Sequence, residues 1–242
     1  MQLIVNTPPF YLSNEQPCDY LPNRQAQSLF AAPEAPLNVT LYSRLIAHGF
    51  RRSGSMVYRP HCSRCIACVP IRIPVHRFEA SRIQRRTLRR NADLRIIAKP
   101  AEFDEEHYAL YRRYLEARHP EGQMVHSSPD DYIHFLTSPW CTTVFYEFRL
   151  KGSLVALAVV DHLDHALSAV YTAFEPSMAA RSLGAYAVLW QIRHAEKLSF
   201  RWLYLGFWIH SCRKMAYKNQ FRPLEAYLNG HWRTFEKGEN MV

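Results

Sequence analysis

Residues 141–174 restrict the fold more than any other stretch. "CTTVFYEFRL" (141–150), "SLVALAVVDHL" (153–163) and "LSAVYTAF" (167–174) are strand-like runs rich in β-branched and aromatic residues. Lys151-Gly152 and Asp164-His165 separate them as turn signals, so an antiparallel meander is the economical arrangement. "SLGAYAVLWQIRHAEKL" (182–198) opens on a serine cap and is apolar on nearly every face, as a helix buried against a sheet must be. "RWLYLGF" (201–207) reads as a further strand and 210–220 as a short mixed segment. "LEAYL" and "HWRTF" form a hairpin about Asn229-Gly230, a type I′ signal.

Upstream, "PAEFDEEHYALYRRYLEARHP" (100–120) puts Phe103, His107, Leu110, Tyr111 and Tyr114 on one helical face, with acids in its first turn and bases in its last. Ser128 and Pro129 supply the N-cap and first position of a second, short helix. Two helices, three strands, a long helix, a strand, a short helix and two strands is the order of the acetyltransferase-like GNAT fold, and order alone does not fix chemistry. Before residue 100 the pattern is short and broken by Pro8-Pro9, Pro17, Pro33 and Pro36. One helix is expected there, at about 38–48, from Leu41, Leu45 and His48, with Gly49 at the C′ position. The expected class is α+β: an irregular, cysteine-bearing N-terminal domain over 1–100, then a GNAT-like α/β domain with a mostly antiparallel sheet over 101–242.

A chain of 242 residues buries a core without disulfides. It shows no apolar run of membrane-spanning length and no signal-peptide pattern in its first 25 residues, which points to the cytoplasm and to no membrane partner. Thiols stay reduced there. Cys62, Cys65 and Cys68, with Cys18 as fourth, then read as soft ligands for zinc or an iron–sulfur cluster, and His61 could replace one of them. Ordinary buried thiols are the other reading, and the spacing does not choose between metals. Cys141 and Cys212 each read as core.

The net charge of +9 points to a polyanionic partner. "RFEASRIQRRTLRRN" holds Arg77, Arg82, Arg85, Arg86, Arg89 and Arg90 against Glu79 alone. A helix from Ser81 places Arg82, Arg85, Arg86 and Arg89 at i, i+3, i+4 and i+7, a face that suits phosphates, although a solvated face paired with Asp104, Glu105 and Glu106 has the same pattern. The run contains no base-reading motif. "YLGFWIHSCRKMAYKNQFRP" (204–223) mixes Trp208, Tyr217 and Phe221 with Arg213, Lys214 and Lys218. That composition suits an anionic group entering a partly apolar cleft, or equally a solvated terminal helix with aromatic anchors.

These last stretches, with "CDYLP", "LYSRLIAHGFRRSGSMVYRPHCSRCIACVPIRI", "SAVYTAFEP" and "RSLGAY", resemble the bacterial aspartate/glutamate leucyltransferases, relatives of eukaryotic arginyl-tRNA–protein transferases, over almost the whole chain. The resemblance implies transfer of leucine from leucyl-tRNA to an N-terminal Asp or Glu of a protein, which marks it for degradation. Its partners would be aminoacyl-tRNA and such proteins, with no cofactor required for the chemistry. On the implied fold, Asp161, Tyr171 and Ser182 lie at strand ends and at the start of the long helix and would orient amine and ester. Lys214, Tyr217 and Lys218 would take the acceptor carboxylate, and Arg181 would join the arginine run on tRNA.

Two departures matter. The eukaryotic relatives have an early Cys-x-x-Cys and an adjacent cysteine pair and are said to hold an iron–sulfur cluster, whereas Cys18 stands alone here, which leaves the metal open. Arg181-x-x-Gly184-x-Tyr186 imitates the acetyltransferase phosphate loop only in part, and a bulky Tyr186 argues against acetyl-CoA and for an acyl group carried on ribose. The rival readings are an acetyl-CoA-dependent N-acetyltransferase and a metal-dependent RNA-binding protein without activity, which leaves the 204–223 cleft without a role.

Overall fold

The computed structural model describes residues 8–241. Its main feature is an eight-stranded, mostly antiparallel sheet. From edge to edge it runs β14 (His231–Phe235), β13 (Leu224–Leu228), β7 (Val69–Pro74), β12 (Trp202–Trp208), β11 (Ala166–Phe174), β10 (Ser153–His162), β9 (Thr142–Leu150) and β8 (Arg95–Pro100). The meander lies in β9–β11 as the sequence predicts. Among the described residues, β11 beside β12 is the parallel pair of this sheet.

β10 reads as a continuous apolar run because both its faces are covered. Ala156, Ala158 and Val160 pack with α5 (Leu183–Lys197), while Leu157 and Val159 meet α3 (Glu105–Arg118) and α4 (Pro129–Leu136). Helix α3 starts later than its periodicity suggests, because Asp104 caps it by accepting from the N–H groups of Glu106 and His107. The residues just before it form β8, an edge strand whose partly exposed side chains give no sequence signal. The hairpin turns at Asn229 and Gly230, both with positive φ.

The sheet is continuous across the boundary expected near residue 100. In β7, Ile71 and Ile73 point into the α5 core, and Arg72 points to the opposite face. There its guanidinium lies 4.1 Å from the ring centres of both Trp202 and Trp232 and pairs with Glu225 at 2.6 Å. A buried cation with stacked rings and a carboxylate holds this strand in place.

A second, four-stranded antiparallel sheet replaces the irregular region expected at the N-terminus. It is ordered β1 (Phe10–Leu12), β4 (Ser28–Ala31), β6 (Met56–Pro60), β5 (Arg51–Ser53), with a separate two-stranded pair of β2 (Gln16–Pro17) and β3 (Gln25–Ala26). Its strands are too short to show a period in the sequence. One face packs on α1 (Val39–Ala47) through Ala31, Val57, Tyr42 and Ile46. From this sheet Arg52 reaches the large one: Nε and Nη2 donate to the two oxygens of Asp161, each at 2.6 Å, and Nη2 also donates to Leu136 O at 2.8 Å. The Thr143 hydroxyl adds a bond to Asp161 at 2.7 Å. No described helix is long and apolar enough to cross a membrane.

Removing one member of such a pair strands a buried charge. Asp161→Asn should therefore destabilise the fold by about 3–5 kcal/mol in chemical denaturation, and the double change Arg52→Met, Asp161→Leu should recover much of the loss. A single variant as stable as the wild type would mean that the pair does not join the sheets.

Candidate functional site

β11 and β12 pair only from Ala166–Trp202 to Ser168–Tyr204. At that level each strand carries one extra residue relative to its outer neighbour, Val170 against β10 and Leu205 against β7. Bulges bend a strand and sharpen its twist, so two at one level turn the strands apart and open a wedge in mid-sheet. Gly206, at φ +69°, sits at the bend.

Parting two strands leaves backbone groups without partners. On β12 Lys218 makes good the loss: its buried Nζ donates to Leu205 O and Phe207 O, each at 2.8 Å. Burial, with Arg51 nearby, lowers its pKa to about 7. The cavity at the wedge is lined by Tyr42, Arg51, Ser168, Val170, Gly206 and Phe207, among others. Arg51 and Arg52 are neighbours in β5 and both border this cavity, but strand alternation turns them to opposite faces of the small sheet, and Arg52 is committed to Asp161. The Arg51 guanidinium lies 5.7 Å from the Phe207 ring centre and has no carboxylate or hydrogen-bond acceptor among the described residues.

Beyond the parting, the half-buried Tyr171 ring packs against Tyr111, Tyr114 and Phe135. Helix α6 (Arg213–Ala216) and the turn after it bring Tyr217 near Tyr114 and Lys214 near His119. Burial and then the Lys214 charge lower the His119 pKa. Tyr171, Lys214 and Tyr217 thus share one neighbourhood, and Tyr114 and His119 join them unannounced by the sequence.

Several of the sequence-derived site residues have partners of their own within the fold. Asp161 is fully buried with both oxygens committed to Arg52 and Thr143, so it cannot touch a substrate. Lys218 is buried and spends two of its three donors on β12 carbonyls. Ser182 is exposed at φ +54° and gives α5 no side-chain cap, and the preceding Arg181 carbonyl accepts from Asn91 at the end of α2. Arg181 pairs bidentately with Asp93 at 2.8 and 2.9 Å at the surface. Tyr186 turns into the core against Phe148 and does not obstruct the loop before α5.

Helix α2 (Arg82–Arg90) forms from Ser81, whose side chain closes a capping box with Gln84. It buries Gln84, Thr87 and Leu88 and leaves Arg82, Arg85, Arg86, Arg89 and Arg90 exposed. Arg77 pairs with Glu236 at 2.5 Å, Arg85 bonds Ala80 O, and Arg90 bonds Ala180 O beside the start of α5. Arg82, Arg86 and Arg89 remain the outward-facing face.

Cys18, Cys62, Cys65 and Cys68 line one groove as free, half-buried thiols. Burial and then the other three cysteines push the Cys68 thiol up to about 12. Their donor chemistry suits a soft metal, but among the described residues they are not placed as a metal-binding group. Cys141 and Cys212 are buried, as core cysteines are.

Two family models match the chain, described as "Arginine-tRNA-protein transferase, N terminus" over residues 16–86 and "Arginine-tRNA-protein transferase, C terminus" over 106–228. An aspartate/glutamate leucyltransferase from Pseudomonas paraeruginosa is 51% identical over 225 residues, covering 92% of this chain and 95% of that protein. One from Nitrosococcus oceani is 50% identical over 224 residues, covering 92% and 94%. Among solved structures, L-PGS from Bacillus licheniformis aligns with a TM-score of 0.45 at 11% identity, over 69% of this chain and 48% of that one, a likeness too low to carry an argument.

Lys218 generates a test with a defined sign. Its pKa in the fold is about 7, against about 10.4 in an unfolded chain. The unfolded state therefore takes up the proton first, and stability from this group is full above the unfolded value and is lost as pH falls towards 7. Relative to Lys218→Met, the wild type should gain stability from pH 7 to pH 10, and the variant should keep the wild-type acceptor preference. A pH-independent difference would contradict the buried assignment.

Proposed function

The chain belongs to the arginine-tRNA-protein transferase family and groups within it with the aspartate/glutamate leucyltransferases, and from that premise we propose how its site works. It is an aminoacyltransferase that moves leucine from leucyl-tRNA to an N-terminal Asp or Glu of acceptor proteins, the step that marks them for degradation. In the reaction the acceptor α-amine attacks the ester carbonyl, the carbon–ribose-oxygen bond breaks, and one amine proton passes to the departing oxygen.

We place amine and ester in the wedge between β11 and β12, in a GNAT-like arrangement. An α-amine has a pKa of about 7.7–8.0, so a working fraction is neutral near pH 7.5 without a strong base. Alignment of the two reactants can supply roughly 7–11 kcal/mol. The backbone edge that β11 exposes beyond Ser168 offers N–H groups towards the developing oxyanion.

The observation that carries this reading is Arg51. Arg52, Arg72 and Lys218 are all spent on protein partners, whereas Arg51 faces the wedge unpaired, in a cavity otherwise lined largely by apolar and aromatic groups. The cavity is small, about 20 Å³, so the acceptor's acidic side chain reaches this guanidinium as the strands part further, and the charge would select Asp and Glu over neutral residues. Lys214 and Tyr217 form an outer rim. The exposed face of Arg82, Arg86 and Arg89 meets the tRNA backbone. The four cysteines line a groove wall, and no step passes through them, with or without zinc or an iron–sulfur cluster.

Arg51→Gln should raise KM for peptides beginning with Asp or Glu by roughly ten- to a hundredfold, the value of a charged hydrogen bond, with leucyl-tRNA affinity unchanged. Steady-state kinetics with labelled leucyl-tRNA measures this. An unchanged KM, with Lys214→Ala raising it instead, would move the carboxylate to α6.

A further inference from the structure

The small sheet has a second face that its core does not use. Phe10, Leu29, Ala31 and Val57 belong to the α1 side. On the opposite side the strand registers bring Tyr11, Phe30, Tyr58 and Arg51 into one row, because Tyr11 lies opposite Phe30, Phe30 opposite Tyr58, and Tyr58 opposite Arg51. Directly opposed residues share a face. The rings stack along this row, Tyr11 on Phe30 at 5.4 Å and 15°, and Phe30 on Tyr58 at 5.6 Å and 29°. Tyr58 then meets Phe207 edge-on at 6.2 Å, at the point where β12 leaves β11.

The row therefore runs from Tyr11, 43% exposed, to the wedge. Phe30 and Tyr58 look into the groove that the four cysteines line, of about 590 Å³, which also receives Arg24, Arg59, His61 and Phe207 and, among the described residues, a single carboxylate, Asp19. Clefts of this size and mixed lining hold ligands. The rings along the row turn their faces to one another, so a base can stack on the outer face of Tyr11 and meet Phe30 and Tyr58 at their edges, with cations nearby for the phosphates. An aliphatic peptide would use neither, and an acidic peptide would use the cations but not the rings.

On the reading that the ester is attacked in the wedge, we propose that the row Tyr11–Phe30–Tyr58 is an aromatic platform for the unpaired 3′-terminal nucleotides of leucyl-tRNA, which stack on Tyr11 and pass along the edges of Phe30 and Tyr58. It leads the ester-bearing ribose past Phe207 to the wedge. The basic face of α2 contacts the double-stranded part of the tRNA by charge alone, so the two surfaces divide the molecule between end and body.

The test compares binding of two probes, intact tRNA and the same tRNA trimmed of its unpaired 3′ nucleotides, to wild type, Tyr11→Leu and Phe30→Leu. Leucine keeps apolar bulk and removes the π-face, and the exposed Tyr11 site keeps one variant clear of folding effects. Each variant should weaken intact tRNA by about five- to a hundredfold and leave trimmed tRNA unchanged. Equal loss on both probes, or no loss on either, overturns the proposal. Unchanged tRNA affinity with a raised acceptor-peptide KM would assign the row to the peptide and also overturn it. Failure of the wild type to transfer leucine to an Asp peptide would instead refute the reading on which the proposal rests, whereas normal transfer by both variants would refute the platform alone.

Discussion

The buried pair of Arg52 with Asp161 is the contact on which the geometry of the site depends. It joins the small sheet to the meander of the large one, and its five hydrogen bonds from Arg52 reach β10, β9, the end of α4 and the turn after β5. Such pairs often add little net stability, because desolvation offsets attraction. What this one supplies is placement. With Arg52 fixed inward, alternation along β5 leaves Arg51 one choice, and the row opposite Arg51 follows from the strand register.

The wedge is the complementary element. A regular sheet has no room for a reacting ester at its centre, so a site there requires the ladder to fail locally. Two bulges at one level supply the failure, and Lys218 bears its cost by capping two carbonyls that would otherwise lie buried and unpaired. Departures from local regularity concentrate where function is placed. Here they coincide with an unpaired guanidinium and with the end of an aromatic row.

Much of the fold was legible because its elements are long, periodic and capped. The meander, the Ser128 cap, the apolar α5 and the Asn229-Gly230 hairpin each carry a local signal. β7 does not: Pro70 and Pro74 bracket an arginine, a pattern that argues against a central strand until Trp202 and Trp232 are seen around Arg72. The small sheet is built from strands of three to five residues, below the length at which alternation can be read. In the site, sequence shows a charge but not its partner. Asp161 and Lys218 therefore read as available but are buried on partners within the fold, Arg181 is paired with Asp93 at the surface, and Arg51 is hidden beside Arg52. The adjacent pair in a short strand was the available clue, since alternation must bury one arginine, and a buried arginine needs a carboxylate.

The most direct measurement is a crystal structure with a peptide beginning with Asp and a non-hydrolysable leucyl-adenosine amide. The account predicts the peptide's side-chain carboxylate within hydrogen-bond distance of the Arg51 guanidinium and the leucyl carbonyl between β11 and β12, close to the peptide amine. A carboxylate bound by Lys214 on α6, or a leucyl group seated away from the wedge, would contradict it.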